Sequence, residues 1–209
     1  MIDPASLDWA KMDGLMPAIV QNAASGELLM LGYMNCAALE ATIADKLVTF
    51  HSRSREKPWR KGETSGNLLE LVDISADCDR DALLVLATPR GPTCHTGAPS
   101  CFGRDGPPGI GFIAALADIV ASRAAADPAT SYTARLIGEG TKRLAQKVGE
   151  EGVEVALAAV SGDSAELTSE AADLVYHLTV LLEASDSSWD AVLAELRRRY
   201  AASNATASS

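Results

Sequence analysis

The stretch "GRDGPPGIG", residues 103–111, limits what this chain can fold into more than any other segment. Four glycines and two prolines in nine residues break helix periodicity and remove ladder donors, so the sequence on either side must fold separately. The two sides differ in texture. Before the break, "LMPAIVQNAASGELLMLGYM" reads as two strands around the turn Ala24-Ser25-Gly26. "CAALEATIADK" has a helical period, "LVTFHSRSR" reads as a strand, and "NLLELVDISADCDRDALLVLAT" as two more. After the break, alanine, leucine and acidic residues recur at helical spacing. This predicts helices near 112–126, 131–160, 164–184 and 188–201, with turns at "AADPAT" and "SGDS". The expected architecture is two domains: an α+β domain over 1–102, a linker over 103–111, an all-α helical bundle over 112–201, and a disordered tail over 202–209.

A length of 209 residues is compatible with this division. The net charge of −10 excludes a general nucleic-acid binder but leaves room for a small phosphorylated ligand in a local basic pocket. No signal-peptide pattern opens the chain and no apolar run approaches membrane-spanning length, so a cytoplasmic protein without membrane contact is expected. In that setting four cysteines point to metal or free thiols rather than disulfides.

"DCDRDALLVLATPRGPTCHTGAPSC", residues 77–101, holds three of the four cysteines. Asp77, Asp79 and Asp81 alternate; on a strand they would share one face at about 6–7 Å spacing. Such a row is either a solvated acidic turn or an oxygen-only site for Mg²⁺ or Ca²⁺. Cys78 would then face the opposite way, and Cys94 and Cys101 follow in a Gly/Pro/Thr-rich loop. Three thiolates with one open position suit catalytic zinc, but the spacing matches no structural zinc finger, and buried apolar cysteines remain an equal reading. Cys36, in a helical stretch, reads as core. His95 is a ligand, a proton carrier or a loop cap; beside a metal-activated water it becomes a candidate acid or base. Upstream, Arg53, Arg55, Lys57, Arg60 and Lys61 put five of 18 basic residues within nine positions. They form either a solvated loop or a phosphate pocket, to which Ser65 and Gly66 would add turn N–H groups. Trp59 could stack on a nucleobase or simply pack.

Taken in order, "SRSR", "W.KGE.SGN", "DCDRDALL" and "GPTCHTG…SCF" resemble the phosphoribosyl-AMP cyclohydrolase family of histidine biosynthesis across residues 14–102. The resemblance implies zinc held by Cys78, Cys94 and Cys101, and magnesium held by Asp77, Asp79 and Asp81. It also implies an interlocked homodimer that shares zinc ligands between chains. The implied reaction opens the adenine ring of phosphoribosyl-AMP between N1 and C6 with zinc-activated water. His95 is then the candidate proton carrier, and the basic segment with Trp59, Ser65 and Gly66 the candidate substrate site. Pro58 stands where the family more often has leucine.

In the helical half, Glu150 and Glu154 share a helix face that Glu151 borders, and Glu170 and Asp173 stand three apart on the next helix. Acidic residues usually mark a solvated face. Here apolar Val148, Val153, Val155, Leu174 and Val175 flank them, and the short "SGDS" turn would make the two helices antiparallel, so the carboxylates could converge on Mg²⁺. "SYTARL", "KRLAQKVGEEGVEVALAA" and "SEAADLVYHL" resemble phosphoribosyl-ATP pyrophosphohydrolase over residues 112–200. That resemblance implies magnesium on Glu150, Glu151, Glu154, Glu170 and Asp173, and release of pyrophosphate from phosphoribosyl-ATP. Lys142, Arg143 and Lys147 either help hold phosphate or pair with glutamates on their own helix. His177 reads as a hydrogen-bonded core or interface residue, and Gly152 as a helix–helix contact. The two implied reactions are consecutive, the C-terminal half acting first. Competing readings are a zinc-stabilised binding module fused to a helical dimerisation domain, and a chain in which only the pyrophosphohydrolase is active.

Overall fold

The computed structural model describes residues 2–103 and 106–207. The chain divides into two compact units, Met1–Phe112 and Ile113–Ser209, the first α+β and the second helical. Arg104 and Asp105, within the expected linker, lie outside the described residues, as do Ser208 and Ser209 of the expected tail.

The N-terminal unit is built on a four-stranded sheet ordered β2-β1-β6-β5: β1 (Met16–Asn22), β2 (Leu28–Met34), β5 (Leu69–Ala76) and β6 (Leu83–Pro89). β1 runs parallel to β6; the β1–β2 and β5–β6 pairs are antiparallel. Period-2 alternation buries Met16, Ala18 and Val20 on β1 and Leu83, Val85 and Ala87 on β6. On β5 the buried face passes from Leu69 and Leu71 to Ile74. The register shift between Leu71 and Asp73 makes this possible, because one extra residue inverts the phase. Helix α1 (Cys36–Asp45) starts at Asn35, whose side chain accepts the Ala38 N–H.

The basic segment is not the open loop its polarity suggests. It is a second, two-stranded sheet of β3 (Thr49–Ser52) and β4 (Lys57–Arg60), with Pro58 opposite His51. An edge position tolerates the missing proline N–H. Phe50, 1% exposed, lies against Gly32, where an added Cβ would fall 2.4 Å from its ring, and packs on Trp59 at 5.6 Å between centroids.

The helical unit contains α2 (Phe112–Ala124), α3 (Tyr132–Gly138), α4 (Thr141–Ser161), α5 (Ser164–Glu183) and α6 (Trp189–Ala207). The single helix expected over 131–160 is two helices. Gly140, at φ +88°, turns the chain between them in a conformation that costs glycine least. The backbone of α6 also continues past 201 into the segment expected to be a tail. Gly162 and Asp163 reverse the chain between α4 and α5, the Asp163 carboxylate accepting the Ala165 and Glu166 N–H groups, and the two helices pack as an antiparallel pair. Buried Val120, Leu136, Leu144 and Val180 form the core.

Gly152 makes no close helix contact among the described residues of one chain, since a Cβ there would meet no atom within 4 Å outside its own helix backbone. Gly152→Ala is therefore expected to stabilise α4 by about 1 kcal/mol, read as a higher Tm in a thermal melt.

Candidate functional site

The segment after β6 carries Cys94, His95 and Cys101 and is tied to β2. The Cys101 N–H donates to Leu29 O at 2.8 Å, and the Ser100 hydroxyl donates to Leu28 O at 2.7 Å. Within it, Cys94 N–H reaches Ala98 O and Gly97 N–H returns to Cys94 O, a tight turn that presents Cys94 and His95 together. They line a cavity of about 330 Å³ with Trp59, Lys61, Ser65 and Asn67. His95 is exposed, with Nδ1 3.8 Å from Cys94 Sγ. The Thr96 hydroxyl donates to Cys94 Sγ at 3.1 Å and holds that thiol below its usual range, whereas desolvation and then the neighbouring Cys94 push Cys101 up. Two neighbouring soft sulfurs, with the thiolate of one favoured, are the donor type that zinc takes.

Lys61 is buried at 9% exposure, and its charge reaches Cys101. Asn67 was not singled out from the sequence, although it ends the "SGN" word. Added methyls at Gly62 and Gly91 would strike its backbone and side chain respectively, so both glycines are needed to seat it. Gly66 turns the loop at φ +79°, its N–H donating to Gly62 O.

The aspartates do not stand on a strand. β5 ends at Ala76, and Asp77–Asp81 form the turn into β6, with Arg80 at φ +62°. The Asp77 carboxylate accepts the Asp81 and Ala82 N–H groups, and this local bonding competes successfully with strand pairing. Even so, Asp77, Asp79 and Asp81 each bring one oxygen within 4.8 Å of the others. The Lys11 ammonium sits among them, 2.5 Å from both Asp79 and Asp81, and lowers the Asp79 carboxyl's pKa. No sequence pattern pointed to Lys11, which lies 68 residues away from Asp79. Cys78 is exposed on this turn, 4.0 Å from Asp79 Oδ1; among the described residues no cluster joins it to Cys94 and Cys101 within one chain.

The basic segment is divided. Arg53 lies over the Tyr33 ring at 4.0 Å, Arg55 borders a second cavity, Lys61 enters the first, and Arg60 pairs with Asp45. Cys36 is half-buried at the start of α1, with Sγ 3.6 Å from Glu40, rather than in the core.

In the helical unit, Glu151, Glu154 and Glu170 converge from α4 and α5, again with one oxygen from each within 4.8 Å of the others. Glu151 is 4% exposed. Its Oε1 lies 2.8 Å from Lys147 Nζ and 3.4 Å from His177 Nδ1. Lys147 draws the Glu151 carboxyl down, while contact with Glu151 pushes Glu154 up and Glu170 adds repulsion. Crowding of this kind is relieved by a divalent cation bound through hard oxygens. Glu150 and Asp173 do not join the cluster. Glu150 is held by Lys147, Gln146 and Arg143, and the Asp173 carbonyl faces His177 Nδ1 at 3.0 Å. Arg143 also pairs with Glu139, and Lys142 is exposed. Because His177 Nδ1 faces two acceptors, it carries the proton and helps fix the Glu151 carboxylate.

Residues 30–103 match the family model described as phosphoribosyl-AMP cyclohydrolase, and residues 113–200 match that of phosphoribosyl-ATP pyrophosphohydrolase. The chain is 56% identical over 197 residues to the histidine biosynthesis bifunctional protein HisIE of Pasteurella multocida (strain Pm70), covering 93% of this chain and 98% of that protein. It is 58% identical over 194 residues to the HisIE protein of Escherichia coli O157:H7, covering 93% and 95%. Against the HisIE protein of Photobacterium profundum the identity is 54% over 200 residues, covering 93% and 97%. Two matched domains in the same order, with this extent of identity, place the chain in the HisIE family of bifunctional histidine-biosynthesis hydrolases.

Proposed function

We propose that the two halves catalyse consecutive hydrolyses of one nucleotide. The helical half cleaves phosphoribosyl-ATP to phosphoribosyl-AMP and pyrophosphate, and the strand-rich half opens the adenine ring of phosphoribosyl-AMP between N1 and C6. The observation that carries the first step is the convergence of Glu151, Glu154 and Glu170, one of them buried. These three carboxylates would hold Mg²⁺, and a bound magnesium ion supplies charge neutralisation on the triphosphate. Lys147 and His177 fix the Glu151 carboxylate through Oε1. Arg143 and Lys142, more than two turns before Glu151 on α4, are the local cations for phosphate oxygens.

The second step is supported by the cavity shared by Cys94, His95 and Lys61. Cys94 and Cys101, with Cys78 from a second copy of the chain, would hold Zn²⁺, which supplies a Lewis acid that lets water react at neutral pH. The water oxygen would bond to C6, the N1–C6 bond would break, and His95, which lines this cavity, would carry the proton to N1. Asp77, Asp79 and Asp81 would take Mg²⁺ in place of the Lys11 ammonium.

A homodimer follows from the same reading. Cys78 needs a partner chain, and both units leave apolar surface for one. On the sheet, Ile19 stands in register with Leu31 on β2 and Leu84 on β6, all exposed. On α4, Val153, Leu157 and Val160 form an exposed stripe, Val160 at 87%. Free thiols are compatible with a cytoplasmic workplace, and none of the described helices is long and apolar enough to cross a membrane.

The test is a time course from phosphoribosyl-ATP through phosphoribosyl-AMP to the ring-opened product. Asp79→Ala should slow the second step by about 10–100-fold, the usual loss when a metal-site partner is removed, and leave the first unchanged. Equal slowing of both steps would contradict the division of labour.

A further inference from the structure

The first cavity, about 330 Å³, lies at the small end of the ~300–1,000 Å³ usual for a ligand site, and phosphoribosyl-AMP is a large ligand with two phosphorylated ribose arms. A single lysine, Lys61, and one acid, Glu63, line it, which is a weak charge complement for two phosphates. A second cavity of about 220 Å³ shares Trp59 with the first. Tyr33 and Phe50 contribute apolar wall, and His51, Ser52 and Arg55 contribute polar groups.

His51 is set as a donor by a chain of bonds that starts in the backbone. Asn35 Oδ1 accepts the Ala38 N–H at 2.9 Å, so the amide nitrogen is the atom turned to His51 Nδ1 at 3.1 Å. Nδ1 therefore accepts, and the neutral ring carries its proton on Nε2. The Ser52 hydroxyl oxygen accepts the Arg55 N–H at 3.3 Å and lies 3.4 Å from the Ser54 hydroxyl, an exposed contact that a phosphate oxygen can replace as the acceptor of the Ser52 O–H. Arg53, stacked over Tyr33, adds positive charge beside the wall. Arg60, by contrast, is neutralised by Asp45 and borders neither cavity.

We infer that the cavity bordered by Tyr33, His51, Ser52 and Arg55 binds the 5′-phosphate of the AMP arm, on the far side of Trp59 from Cys94 and His95. The first cavity then takes the reacting edge of the base and the phosphoribosyl group on N1, the atom next to C6. This deepens the cyclohydrolase reading and rests on it. The ligand class is a nucleoside 5′-monophosphate, recognised by one guanidinium, one imidazole N–H and one hydroxyl.

The probe is AMP, which carries only the arm assigned to the second cavity. Its binding to the full chain is measured by calorimetry, and its competition against phosphoribosyl-AMP by inhibition kinetics. Arg55→Met and His51→Phe should each weaken AMP binding about tenfold or more and raise KM for phosphoribosyl-AMP in parallel, with kcat within about threefold. Arg90→Met removes an equal charge from a surface pair with Glu70 and should change neither. Wild-type protein that does not bind AMP at ten times the KM concentration overturns the inference. So do variants that bind AMP as wild type does, or that alter only the dimer's sedimentation. Absence of ring opening by wild type while AMP binding still depends on Arg55 would instead sink the cyclohydrolase reading alone.

Discussion

Cys94→Ala is expected to abolish ring opening and zinc retention together, while phosphoribosyl-AMP made by the helical half accumulates. The expected loss exceeds about 10³-fold, because without thiolate-bound metal the attacking water keeps a pKa far above neutrality. Cys94 and Cys101 differ in their surroundings. Thr96 donates to the Cys94 sulfur and favours the thiolate, whereas Cys101 beside it is pushed the other way. The fold should survive, since the side chain is only half-buried and the turn around it is held by backbone bonds to Ala98 and Leu29. Zinc content after gel filtration, a thermal melt and product formation are the three readouts. Mixed subunits sharpen the result. If zinc is held across the dimer, refolding Cys78→Ala with Cys94→Ala chains restores roughly a quarter of wild-type ring opening, since half the dimers are mixed and each has one intact site. No recovery would mean that all three sulfurs act within one chain, and ring opening by Cys78→Ala alone would mean that Cys78 is not a ligand. Full turnover by Cys94→Ala in metal-chelated buffer would remove zinc from the account.

Glu151→Gln should stop the first step and spare the second. Glutamine keeps an oxygen where Lys147 and His177 point, so the α4–α5 packing is retained, but it removes the charge that the buried position was arranged to hold. A fall of about 10²–10³-fold in pyrophosphate release is the expected size for losing one element of transition-state charge stabilisation. Weaker Mg²⁺ binding by calorimetry should accompany it. Glu150→Gln serves as the contrast. Glu150 is turned toward Lys147, Gln146 and Arg143 rather than into the cluster, and its loss should cost far less. If the two variants lose activity equally, the cluster seen here is not the one that holds the metal.

Much of this protein was legible in its linear order. Alternation in "MPAIV" and "LLVLA" fixes buried faces because strand side chains repeat every two residues, and the Gly/Pro break marks where one texture gives way to the other. The acidic pairs three and four apart on α4 and α5 identify a shared helix face for the same kind of reason, a local geometric period. Where local rules conflicted, the sequence misled. Asp77 bonds its own turn instead of extending β5, Gly140 splits a run that looked like one helix, and Gly152 meets no neighbouring side chain.

What no period in the sequence could decide is which groups meet across the fold. Lys11 reaches Asp79 and Asp81 from 68 and 70 residues away, Asn67 is wedged between Gly62 and Gly91, and His177 backs Glu151 rather than joining the carboxylate cluster. Charge and donor chemistry are properties of a residue and can be read from its letter. Their pairing depends on distances set by sheet order, a register shift and the packing of two helices. Those distances exist only once the chain is folded, and they gather Glu151 rather than Glu150 with Glu154 and Glu170, and set Arg55 rather than Arg60 at the cavity beside Trp59, among residues that look alike in the sequence.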